Sequence, residues 1–76
     1  MSNYELQTYI DYYNKISNKV VAATTVEEKK KYFTAIECLY ELAEKMYCQG
    51  ELEDFRKAVK EPGDVVEWAA WELENK

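Results

Sequence analysis

Residues 32–47, "YFTAIECLYELAEKMY", constrain this chain more than any other stretch. At about 100° per residue their apolar side chains, from Tyr32 and Phe33 through Ile36, Leu39 and Ala43 to Met46 and Tyr47, cover roughly 220° of a helix. Only Thr34, Glu37, Glu41, Glu44 and Lys45 keep a narrow polar strip. A helix apolar over so wide an arc has to be covered on two sides. The pattern therefore predicts that the helix carrying it, over 26–48, is the central one.

The rest of the chain supplies helices to cover it. Leu6, Tyr9, Ile10, Tyr13, Ile16 and Val20 recur at three- and four-residue steps and share one stripe. Three capping boxes punctuate the sequence, each a small polar residue followed three positions later by Glu. They are Ser2…Glu5, Thr24…Glu27 (or Thr25…Glu28) and Asp64…Glu67. Gly50 reads as a C-terminal cap, and Pro62-Gly63 as a break. The expected fold is all-α: a single domain over 1–76, a small bundle of about four helices at 3–22, 26–48, 51–60 and 65–75. Two would be long and two short. In the last, Val66, Ala69 and Leu73 form one stripe, which leaves Trp68 at its border and Trp71 nearly opposite.

A chain of 76 residues buries only about 60% of its unfolded surface, so a lone copy has little stability to spare. Charge is uneven: residues 1–36 are net +1 and residues 37–76 net −6. Such a surface repels nucleic acid and attracts basic protein patches. Cys38 and Cys48, if both on one helix, lie about 15 Å apart along its axis, too far for a disulfide. Two buried, free thiols are expected, as suits a reducing cytosol. The first residues lack the basic and apolar regions of a signal peptide, and no stretch reaches the length of a membrane span. A soluble, cytoplasmic protein is the expectation.

Chemistry-bearing constellations are scarce. The absence of His removes the commonest general base and metal ligand. Glu37, Glu41 and Glu44 share a face at i, i+4, i+7, but di-metal carboxylate bundles also need Glu-x-x-His. No loop has the order of a calcium site. Neither an enzyme nor any cofactor or metal is expected. The acids fit instead a face that meets Lys or Arg on a partner protein, joined by Glu51, Glu53 and Asp54 of "GELED". Lys29–Lys31 follow Glu27 and Glu28, and Glu27–Lys31 has the favoured order for an i, i+4 pair. Seven tyrosines and two tryptophans are the compositional anomaly. Tyr9, Tyr13, Tyr32 and Tyr40 fit the core, while Tyr12, Tyr47, Trp68 and Trp71 are candidate interface anchors.

In its size, its acidity and its lack of a catalytic set, the chain resembles the small helical inhibitors that phages encode against host enzymes, such as anti-CRISPR and anti-restriction proteins. The resemblance carries no motif and transfers no residue role. It implies a non-enzymatic protein that occupies a basic surface on a larger, nucleic-acid-handling partner, in the host cytoplasm if phage-encoded. One alternative is a structural homodimer built on helix four and the open side of helix two, weakened by Trp71→Ala. A second is a helix-turn-helix-like nucleic-acid-binding module with Lys29–Lys31 or Arg56, Lys57 and Lys60 on phosphate.

Overall fold

The computed structural model describes residues 3–74, with side chains from residue 5. Its elements are α1 (Asn3–Ala22), α2 (Val26–Met46), α3 (Gln49–Ala58) and α4 (Pro62–Glu74). No strand occurs among the described residues, and the fold is all-α.

Local chemistry sets the helix ends, not always where the sequence pattern put them. At the start of α2 the cap is Thr25, whose Oγ1 accepts from the Glu28 backbone N–H at 3.1 Å. Ser2, the cap expected for α1, lies outside the described residues. Gly50 does not cap α2. That helix ends at Met46, Tyr47 turns extended, and Gly50 falls in the first turn of α3, whose N-cap is Cys48. The Asp64…Glu67 box does not open α4 either. Pro62 does, in the first helical position where a missing N–H costs nothing. The Val65 N–H reaches back to the Glu61 carbonyl at 3.0 Å. Asp64 thus sits inside the first turn, where its charge still suits the helix dipole. Neither glycine adopts positive φ.

The four helices form three rods, the third broken between α3 and α4. Going up α1, Tyr9 and Tyr13 meet Phe55, Asn14 Nδ2 donates to the Ala58 carbonyl, and the Tyr13 hydroxyl donates to the Lys60 carbonyl at 2.8 Å. Further up, Val20 lies beside Ala69 and Leu73. The third rod therefore runs parallel to α1, with α2 antiparallel between two short turns. The particle measures 41 × 19 × 18 Å, two helix diameters across its narrow dimensions.

The central helix is α1, not α2. It packs against α2, α3 and α4, and Leu6, Ile10, Tyr13, Ile16, Ser17 and Val20 are all buried on it. On α2 only Ile36 and Ala43 are buried, while Leu42 and Met46 stay half-exposed. The reason is material. Covering a 220° arc on both sides takes two flanking rods, and the third rod docks mainly on α1 and meets α2 along one side only. One flank of α2 thus stays open, and Cys38, on that flank, is exposed, as is Cys48 beyond the helix end. The expectation of two buried thiols fails for the same reason; both are free.

The core has an aromatic heart. Phe55 is fully buried and meets Tyr9, Tyr13 and Tyr40 with ring centroids 5.4–5.7 Å apart, two of the three edge-to-face. Two of the tyrosine hydroxyls find backbone carbonyls, that of Tyr9 on Leu39 and that of Tyr13 on Lys60. Buried phenols thus tie α1 to α2 and to the α3–α4 break while their rings fill the centre. Among the described residues one buried side-chain group is unpaired: the Ser17 hydroxyl, on a residue only 4% exposed, has no hydrogen-bond partner. An unsatisfied buried hydroxyl costs about 1–3 kcal/mol. Ser17→Ala is accordingly expected to raise stability by about 1 kcal/mol, read as a higher urea midpoint at unchanged slope. A lower midpoint would mean that the hydroxyl has a partner in solution.

Candidate protein-interaction surface

α2 carries the acidic strip on the flank that turns toward the third rod. Glu37, Glu41 and Glu44 are all exposed there, spaced over about 10 Å of helix axis. Glu44 is spoken for: Arg56 of α3 donates to its Oε2 at 2.9 Å, and that bond holds the guanidinium even more firmly charged than usual. Glu37 and Glu41 have no such partner among the described residues.

The acids of α3 do not all join them. With Leu52, Phe55 and Val59 inward, helix geometry sends Arg56 and Glu53 toward the α2 side and Asp54 to the opposite flank. Glu51 is half-buried near the aromatic end of the core, where it accepts from the Cys48 thiol at 3.5 Å and its charge helps raise the Tyr47 phenol. The strip is therefore Glu37, Glu41 and Glu44 of α2, with Glu53 on the side of α3 that turns toward it and Glu51 and Asp54 elsewhere. Sequence spacing groups acids within one helix, but it does not tell how a following helix is rotated about its own axis.

The candidate anchors also divide. Tyr12 and Trp71 are 53% and 58% exposed. Tyr47 packs edge-to-face on Tyr9 at 5.5 Å and belongs to the core margin. Trp68 is half-buried beside the α3–α4 break, with Lys60 Nζ over its ring at 5.7 Å. α4 faces the core through Val65 and Ala69, which are 0% and 4% exposed, while Val66 and Leu73 are 43% and 52% exposed. Of the stripe expected to face inward, Ala69 is buried, but Val65 beside it takes the place of Val66 and Leu73. Small side chains at the docking line let α4 come close to α1 in a particle only 18–19 Å thick. Val66 and Leu73 are left at the seam with α2.

That seam is a groove that sequence reasoning missed. Val26 and Phe33 of α2 face Val66, Ala70 and Leu73 of α4 across it, with Val20 in its floor and Lys29 and Lys30 on the α2 wall. The signal was present in the i, i+4, i+7 spacing of Val66, Ala70 and Leu73. The lysine run has local work. Lys29 Nζ donates to the Val20 and Val21 carbonyls at 2.9 and 3.2 Å, closing the C-terminal end of α1. Lys31 lies over the Tyr32 ring at 5.5 Å. The expected Glu27–Lys31 pair does not form; Arg56–Glu44 is the salt bridge found among the described residues.

Among the described residues no group of three or more His, Cys, Asp or Glu is placed to hold a metal ion, and no helix is long and apolar enough to cross a membrane. Comparison with protein-family models, with curated proteins and with solved structures finds no match for this chain.

Proposed function

We propose that the chain is a non-enzymatic protein-binding module whose acidic strip occupies a basic surface on a larger, nucleic-acid-handling protein. The observation that carries this reading is the pair Glu37 and Glu41, exposed on one helix and in no salt bridge among the described residues. The helix fixes the spacing of the two carboxylates, and their charge steers a basic partner from a distance. Glu44 and Arg56 hold the α2–α3 end of the strip in place. Occupying a surface that otherwise binds nucleic acid would make the protein an inhibitor of the phage-encoded kind, acting in the cytoplasm.

A helix-turn-helix module has less to work with. Arg56 is tied to Glu44 and Lys29 to carbonyls of α1, and the sequence pI is about 4.7. Affinity capture from lysate, repeated at rising salt, tests the proposal. The expected catch contains a nucleic-acid-handling protein, weakens steeply with salt, and falls at least tenfold for Glu37→Lys/Glu41→Lys, whose positions are exposed. A catch indifferent to salt and to the double charge reversal would sink it.

A further inference from the structure

We propose that the cleft between α1 and the break from α3 to α4 binds a phosphate monoester. This goes beyond the acidic-strip reading and uses other residues. The cleft is lined from α1 and the third rod, whereas the strip lies on α2.

Ser17 marks the place. Its hydroxyl is buried, on a residue 4% exposed, and has no hydrogen-bond partner among the described residues. A ligand that pairs such a group recovers the hydrogen bond that folding left unmade. Ser17 follows Asn14 by three residues, on the flank of α1 that turns to the third rod, where Asn14 Nδ2 meets the Ala58 carbonyl. One turn further along, it faces the break and lines the cleft together with Asn14 and Asn18.

The opposite wall carries Lys57, Lys60 and Trp68. Lys60 Nζ rests over the Trp68 ring at 5.7 Å, a cation–π contact that keeps its charge at the cleft. Every charged side chain in the lining is thus a cation, and neither lysine is in a salt bridge among the described residues. The acids nearest them in sequence, Asp54, Glu61 and Asp64, are exposed and stand outside the lining. Their charge weakens the pull on an anion but leaves the contact groups free. A chain break also turns carbonyls toward an anion, but those of Ala58 and Lys60 already accept from Asn14 and Tyr13.

The donors set the class of ligand. Two ammonium groups, the Asn18 amide and the Ser17 hydroxyl line the two walls. That set suits a phosphate, with three strong acceptor oxygens, better than a carboxylate with two. Lysine serves phosphate as a point charge. At about 510 Å³ the cleft has the size of a small-molecule site, far more than a lone ion fills. The ligand is accordingly an ester, its phosphate toward Ser17 and the lysines and its organic part toward Trp68.

Titration of the full chain with phenyl phosphate, at constant pH and ionic strength and followed by amide NMR, tests the assignment. The expected result is a saturable shift of the Trp68 indole N–H and of the Asn14 and Asn18 side-chain amides, with the Trp71 indole unmoved. Ser17→Ala should weaken binding about tenfold, the loss of one hydrogen bond to a charged group, while its urea midpoint rises. Lys57→Gln/Lys60→Gln should weaken it at least as much, with helicity intact. Shifts that do not saturate, or that spread equally over the other lysines, overturn the proposal. So does binding that Ser17→Ala leaves unchanged. Phenol or benzoate bound as tightly as phenyl phosphate would overturn the ligand class. Glu37→Lys/Glu41→Lys should leave the titration unchanged, which separates this result from failure of the acidic-strip reading.

Discussion

Phe55→Ala is expected to remove most of the stability of this fold. The ring is wholly buried where all three rods meet, against Tyr9 and Tyr13 of α1 and Tyr40 of α2. Truncating a buried Phe costs about 3–5 kcal/mol, the lost transfer energy plus that of the cavity left behind. The surrounding tyrosines cannot readily close that cavity, since the Tyr9 and Tyr13 hydroxyls are anchored to carbonyls of Leu39 and Lys60. A domain of this size has a total stability of only about 4–11 kcal/mol. In a thermal melt followed by circular dichroism the midpoint should fall by at least about 12 °C. Phe55→Leu keeps most of the volume and loses the ring contacts, so its expected cost is below about 2 kcal/mol. A change under about 1 kcal/mol for Phe55→Ala would mean that α3 is not held by this ring, and that the third rod docks through α4 alone.

The aromatic core was legible in the sequence because periodicity reports it directly. Leu6, Ile10, Tyr13, Ile16 and Val20 are the inward stripe of α1 in both readings, and all five are buried. What periodicity leaves open is which of two adjacent stripes meets the core. In α4 both stripes share Ala69; the choice lies between Val65 and, some tens of degrees away, Val66 with Leu73, and hydrophobicity favours the latter. Closeness of approach favours the first, and it prevails. The wide arc of α2 misled in a related way. Its width is real, but covering it required rods on both sides of α2, and the third rod lies mainly on α1 and meets α2 on one side only. Helix starts went astray where two signals competed. Pro62 and Gly63 look like a break, yet proline at the first helical position is a start. The acidic strip divides likewise, since Glu53 and Asp54 are neighbours in sequence and point to opposite flanks of α3. The exposed position of Trp71 followed from its wheel angle, but the groove on the far side of the same helix needed the packing of α2 beside α4.

Stability should fall steeply above pH 10, and Tyr13 should account for a measurable share of the loss. Its ring is fully buried and its hydroxyl donates to the Lys60 carbonyl. Burial, then the neighbouring Tyr40, Glu61 and Tyr9, push the phenol well above its ordinary value near 10. The Tyr9 phenol is raised too, by burial and by Tyr47. A group whose pKa is higher folded than unfolded keeps its full contribution below the unfolded value and loses it as pH climbs toward the folded one. Above pH 10 the unfolded chain gives up the Tyr13 proton before the folded chain does, so this residue makes stability fall as pH rises. The comparison that isolates Tyr13 is with Tyr13→Phe. That variant gives up a hydrogen bond and starts about 1 kcal/mol lower at neutral pH. Above pH 10 its stability should decline more slowly, so the two curves should converge. Urea unfolding at half-unit steps from pH 8 to about 12 reads both slopes. Parallel curves would mean that the Tyr13 hydroxyl reaches water in the folded chain, and that the contact tying α1 to the break between α3 and α4 is not closed.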